Sequence, residues 1–157
     1  MDYLIRKMKK EEYGLLEEFL YEAIYIPSEL IPPPKSIINC PELQLYINDF
    51  GESKHDQALI AEMEGKVIGC AWARIMNDFG HIDDKVPSIA MSILKPYRGK
   101  GIGKSLLESL LIQEKKLGYT KVSLSVQKLN YALKMYEQIG FKIISENDEE
   151  YIMVITL

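Results

Sequence analysis

Cysteine and histidine are scarce in this chain, and no long run of one chemical kind occurs. Among its 157 residues there are only Cys40 and Cys70, and only His55 and His81. Neither pair has the spacing of metal ligands, so no metal is expected and the cysteines read as reduced thiols. No apolar stretch approaches the ~20 residues needed to span a bilayer. The opening MDYLIRKMKKEE lacks the apolar core and small-residue cleavage site of a signal peptide. A formal net charge of −4 without a long basic run argues against nucleic acid as a partner. With 47% hydrophobic residues the expectation is one cytoplasmic domain, residues 1–157, off the membrane.

Several segments have a clear period. Residues 3–8 form a short strand candidate. From Lys9 to about Tyr25, apolar residues recur at three- and four-residue spacing and predict a helix, which must stop before Pro27. A second helix is predicted from Pro41 to Phe50, closed by Gly51. ALIAEME and KVIGCAWARI flank Glu64-Gly65, a hairpin signal, and residues 86–94 read as a central strand. A helix follows from about Gly101 to Lys116, with Ile102, Leu106, Leu107, Leu110 and Leu111 on one stripe. Lys121–Gln127 alternates as a strand, Asn130 stands as an N-cap before YALKMYEQI, and FKIIS with EYIMVITL ends the chain as a strand pair. Strands grouped with helices, and a single strand–helix–strand crossover at 86–126, predict a mixed α/β sheet.

The segment YRGKGIGKS, residues 97–105, has the look of a phosphate loop. A Walker loop ending in Gly103-Lys104-Ser105 needs a glycine at position 98, where Arg98 stands. A dinucleotide loop starting at Gly99 and Gly101 needs a third glycine where Lys104 stands. Both nucleotide readings fail, yet the physics survives. A strand, a glycine-rich turn and a helix aim unpaired amides and a helix dipole at one point. Gly101 and Gly103 remove side chains there, while Arg98 and Lys104 add positive charge.

Arg98-Gly99-Lys100-Gly101-Ile102-Gly103 resembles the Arg/Gln-x-x-Gly-x-Gly/Ala signature of the GNAT superfamily of acyl-coenzyme-A-dependent N-acyltransferases. The later Asn130 and the run Tyr136-Glu137-Gln138-Ile139-Gly140-Phe141 resemble a second motif of that family, and the likeness extends over roughly residues 3–157. The resemblance implies a mostly antiparallel central sheet with one parallel strand pair around the cofactor site, flanked by helices. It implies acetyl-CoA as co-substrate and an amine of a small molecule or peptide as acceptor. Amides of Arg98, Gly99, Lys100, Gly101, Ile102, Gly103 and Lys104 would hold the diphosphate, and the backbone of Ile93 and Leu94 the pantetheine arm. Asn130 would cap its helix and touch the cofactor. Tyr136 would serve as acid or hydrogen-bond donor to the leaving thiolate.

The general base is where the residues leave alternatives open. Many members of that family carry a glutamate on or beside the cofactor strand, and Pro87-Ser88-Ile89 has none. Asp83, Asp84, Glu29 or a water held by Ser88 are the candidates. Acceptor selection is expected from the first two helices and the IYIPSELIPPPKS loop, with Tyr25, Trp72 and Arg74. A non-catalytic acyl-CoA sensor is the rival reading, and a homodimer through the terminal strands stays open.

Overall fold

The computed structural model describes residues 2–157. Seven strands form one sheet in the order β1-β2-β3-β4-β5-β7-β6. They are β1 (Leu4–Lys7), β2 (Gln57–Met63), β3 (Lys66–Arg74), β4 (Ser88–Ile93), β5 (Lys121–Gln127), β6 (Lys142–Glu146) and β7 (Glu150–Thr156). Every neighbouring pair is antiparallel except β4 and β5. Four helices complete the fold: α1 (Leu16–Ala23), α2 (Pro41–Gln44), α3 (Ile102–Lys116) and α4 (Ala132–Ile139). The mixed sheet is the architecture that the crossover pattern predicts. The hairpin sits where expected, with Glu64 and Gly65 both at positive φ, 51° and 79°, as its tight turn demands.

Both faces of the sheet are covered, so β2 and β3 bury apolar residues on each side. On one face the α3 stripe packs Leu106, Leu107 and Leu110, all fully buried, against Ile89, Ile93, Val122, Leu124 and Met153. Burial of each such side chain stabilises the fold by ~1.5–3 kcal/mol. On the other face Leu16, Phe19 and Leu20 of α1 meet Ile60, Cys70 and Trp72. Ser92 Oγ–H donates to the Phe19 carbonyl at 2.6 Å, which ties α1 to β4.

The two leading helices are shorter than their periodicity predicts. The first begins as a 3-10 turn over Lys10–Leu15 and becomes α-helical only at Leu16. Gly14 lies within that turn, where it costs a helix ~1 kcal/mol relative to alanine. The second helix keeps only Pro41–Gln44. The carbonyls that would carry it onward are taken from β3: Trp72 Nε1–H donates to Tyr46 O at 2.9 Å, and Arg74 Nη1–H to Leu45 O and Asn48 O at 3.1 and 2.8 Å. Trp72 is fully buried and Arg74 is ion-paired with Asp56 at 3.0 Å. These two residues therefore brace the 45–51 segment and do not select an acceptor, a correction to the expectation above.

Glu114 is the anomaly of α3. It stands one turn beyond Leu110 and Leu111 on the buried stripe, is fully enclosed, and neither carboxyl oxygen has a hydrogen-bond partner among the described residues. Burial pushes its pKa up from 4.5 to about 7. A carboxyl whose folded value is raised contributes stability below the unfolded value and loses it as the pH climbs through the folded one. At about 1.4 kcal/mol per pH unit, roughly 3 kcal/mol should be lost between pH 4.5 and 7. Glu114→Gln is expected to flatten that slope in urea titrations across this range and to stabilise the chain above pH 7. An unchanged slope would show that Glu114 is solvated in solution.

Candidate active site

β4 and β5 part company soon after they meet. Their parallel ladder has a single register pair, Ser88 with Ser123, supported by Ser123 N–H donating to the Pro87 carbonyl at 3.0 Å. Beyond it β4 stays paired with β3 through Ile93. Leu94 N–H donates to Ile68 O at 2.9 Å, so Leu94 faces β3. Amide direction alternates along a strand, and Met91 and Ile93 therefore point into the gap. This corrects the expectation for Leu94. Its N–H is spent on Ile68, its carbonyl accepts from Tyr97 N–H at 2.9 Å, and its side chain lies outside the cleft lining. Ile93 stays on the gap, with Met91 as the partner that periodicity alone did not single out.

The gap opens into a cleft of about 870 Å³. At one end stands the N-terminus of α3. Its first intrahelical bond is Ser105 N–H to the Gly101 carbonyl at 3.2 Å, and no side chain caps it. The amides of Ile102, Gly103 and Lys104 are left for a ligand, with the positive end of the helix dipole behind them. Gly101 has φ 83°, and a Cβ added there would meet no atom within 4 Å, so the space in front of the amides is open. Gly103 has another purpose: its Cβ would lie 3.1 Å from Met91 Cε, so it lets α3 approach β4. Arg98, Gly99, Gly101, Ile102, Gly103 and Lys104 all line the cleft, whereas Lys100 is exposed outside it.

Arg98 does more than add charge. Its Nε–H donates to Ile93 O at 2.7 Å, and Nη2 bonds the Glu22 carbonyl and carboxylate at 3.2 and 3.0 Å. It fastens the loop to the end of β4 and to α1, and its charge is largely answered by Glu22. Lys104 is the cation of the helix N-terminus that remains in the cleft.

Asn130 and Tyr136 line the opposite wall. The Asn130 carboxamide oxygen accepts from Ala132 N–H at 2.9 Å, which starts α4 and leaves the NH₂ group available. The end of α4 is a Schellman motif: Phe141 N–H donates to Tyr136 O at 3.0 Å and Gly140 N–H to Glu137 O at 3.1 Å. Its accompanying apolar contact is Phe141 against Tyr136 itself, ring centroids 5.9 Å apart. The run YEQIGF thus positions the phenol as it stops the helix. Burial, with a smaller contribution from Tyr131, pushes the Tyr136 pKa up to about 12.

The candidate bases do not meet the cleft. Asp83 caps its own turn, accepting from Lys85 N–H at 2.7 Å; Asp84 is exposed beside His81; Glu29 is exposed and accepts from Ser28 Oγ–H at 3.3 Å. Ser88 is buried and donates to Asp78 Oδ1 at 2.9 Å, while the Tyr46 hydroxyl donates to Asp78 Oδ2 at 3.1 Å. Sequence reasoning missed Asp78, Tyr46 and Glu150. Glu150 opens β7 opposite Gln127, on the face of the sheet that also carries Ser125, and it lines the cleft. Burial raises the carboxyl pKa of both Asp78 and Glu150. The alternation of SVQ in β5 marks a polar face, but only the strand register shows that Glu150 joins it.

The sequence matches the acetyltransferase (GNAT) family over residues 23–141. It is 25% identical over 128 residues to an N-alpha-acetyltransferase of Sulfolobus acidocaldarius, covering 71% of this chain and 73% of that one. It is 28% identical over 89 residues to a mycothiol acetyltransferase of Propionibacterium freudenreichii, covering 55% of this chain and only 28% of that protein's length. Among solved structures, the PaiA N-acetyltransferase of Thermoplasma acidophilum in complex with coenzyme A superposes with a TM-score of 0.74 over the full length of both chains, at 23% identity.

A substitution pair separates the two glycine roles. Gly101→Val is expected to weaken coenzyme A binding at least tenfold by calorimetry, because a branched Cβ meets both a positive φ and the approach to the amides. Gly103→Ala should displace only the flexible end of Met91 and retain binding within a few-fold. Equal loss in both variants would contradict this division.

Proposed function

The chain belongs to the acetyltransferase (GNAT) family, and from that premise we propose that it moves the acetyl group of acetyl-CoA to a primary amine. The observation that carries the reading is the divergence of β4 from β5 in front of the α3 N-terminus. An extended pantetheine arm can complete the free edge at Met91 and Ile93 as a strand would. The diphosphate then reaches the amides of residues 102–104, with Lys104 beside them. Unpaired backbone groups in a closed cleft cost ~1–3 kcal/mol each, which gives the bound arm its affinity without recognition of any side chain. The chemistry that acetyl-CoA supplies is an activated thioester.

Tyr136 stands on the α3 side of the gap. A phenol at about 12 facing a thiol of ~8.5 makes full proton transfer uphill by roughly 5 kcal/mol. Tyr136 therefore acts by donating a hydrogen bond to the departing sulfur, and it remains protonated throughout the ordinary working range. Asn130 uses its spare NH₂ to fix the same part of the donor. On the acceptor side, an amine of pKa ~10.4 is neutral in only about one molecule in 2,500 at pH 7, so the site must remove a proton.

Thiol release measured over a panel of alkylamines, polyamines, amino acids and peptide N-termini tests the proposal. Turnover with at least one amine class is expected. A blank panel with coenzyme A binding intact would leave a sensor in place of an enzyme. Tyr136→Phe is expected to lower kcat at least tenfold while preserving the melting-temperature rise caused by acetyl-CoA. Unaltered kcat would remove Tyr136 from the mechanism.

A further inference from the structure

Two carboxylates line the cleft, and they differ in their partners. Glu22 is ion-paired with Arg98 at 3.0 Å, while Glu150 has no cationic partner among the described residues. Strand register places Glu150 with Gln127 and Ile152 with Ser125, so Glu150 and Ser125 share the sheet face turned toward α1. Tyr136 packs with the core on the α3 face. The gap between β4 and β5 thus has a phenol on one side and an unpaired carboxylate on the other. That arrangement suits a transfer, with a hydrogen-bond donor for the departing sulfur on one side and a proton acceptor for the arriving amine on the other.

The groups around Glu150 are all anionic or neutral. The charges of the adjoining Glu149 and of Asp78, to which Tyr46 is bonded, both act on Glu150. Ser125 favours its charged form. Lys128 pairs with Glu146 and lies 5.2 Å over the Tyr151 ring, so it does not answer the charge. Beyond this acidic spot the cleft lining is largely apolar, with Ile26, Pro27, Leu30, Pro32 and Leu43, broken by the hydroxyls of Tyr25 and Ser28.

Resting on the transfer reading above, we infer that Glu150 receives the acceptor as an ammonium ion and takes its proton, and that the acceptor is an apolar primary alkyl- or aralkylamine with no anionic group beside the nitrogen. Glu150 accepts one N–H proton, which frees the nitrogen lone pair. The C–N bond forms and the C–S bond breaks. A second N–H proton goes to the thiolate that Tyr136 holds, and Glu150 returns the first to solvent. The products are the amide, coenzyme A as thiol and one proton. Half-burial and neighbouring charge raise the Glu150 carboxyl above its ordinary value, which makes it a better proton acceptor than a solvated carboxylate. An α-carboxylate on the acceptor would meet Glu150 with like charge, which disfavours free amino acids.

The test compares phenethylamine with phenylalanine, followed by thiol release with the whole chain and acetyl-CoA. The unaltered protein is expected to favour phenethylamine at least tenfold in kcat/KM. Glu150→Gln should lower kcat/KM for it at least a hundredfold at pH 7, and the deficit should shrink as the pH approaches that of amine deprotonation. Glu150→Asp should restore part of the loss, and the coenzyme A melting shift should persist in both variants. Turnover and pH profile unchanged in Glu150→Gln, or a preference for phenylalanine, would overturn the inference while leaving the transfer reading intact. Absence of turnover with every amine in the unaltered chain would sink both.

Discussion

A sheet satisfies its own backbone, strand by strand, and a strand that leaves its neighbour exposes donors and acceptors that must find another partner. In this protein β4 keeps one neighbour and abandons the other after a single register pair. The two cores hold the strands in this splayed arrangement. α3 wedges its leucines beneath the gap on one face, and α1 is tied to β4 on the other through Ser92 and Arg98. The cleft is therefore a property of the whole fold, and no single loop makes it.

From that opening the functional elements follow in order. The α3 N-terminus must lie at the far end of β4, because a short turn joins them, and its free amides come with it. Arg98 closes the turn by reaching back to the Ile93 carbonyl, which consumes the one acceptor at the end of the free edge and leaves the donors. α4 must cap the α3 side, because β5 delivers the chain there, and its Schellman ending sets the angle of Tyr136. β7 returns antiparallel to β5 and brings Glu150 to the opposite face. The Tyr136 phenol and the Glu150 carboxyl are thus separated by the sheet itself.

Much of this was legible in the residues, and the boundary between legible and hidden is physical. The glycine loop, the Asn130 cap, YEQIGF and the Glu64-Gly65 turn are local devices, written in adjacent residues, and each stands where its pattern predicts. Trp72 and Arg74 were misread because β3 is apolar on both faces, so alternation does not tell an interior brace from a binding residue. The 41–50 periodicity overstates its helix for another cause: the carbonyls answer to β3, which is distant in sequence. Glu150 and Asp78 are hidden in the sequence because the place of one depends on strand register and that of the other on the path of the 75–87 loop. Asp83 and Asp84 share a loop with Asp78, and Tyr46 and Ser88 distinguish it.

The free edge of β4 is proposed to bind the arm of an acyl carrier as a strand, and amide hydrogen exchange reads this most directly. On saturation with coenzyme A, the amides of Met91 and Ile93, with those of residues 102–104, should slow markedly. Ser92 and Leu94, already paired with β3, should scarcely change. If saturating ligand protected neither Met91 nor Ile93, the cleft between β4 and β5 would not be the carrier's site and the account would be contradicted.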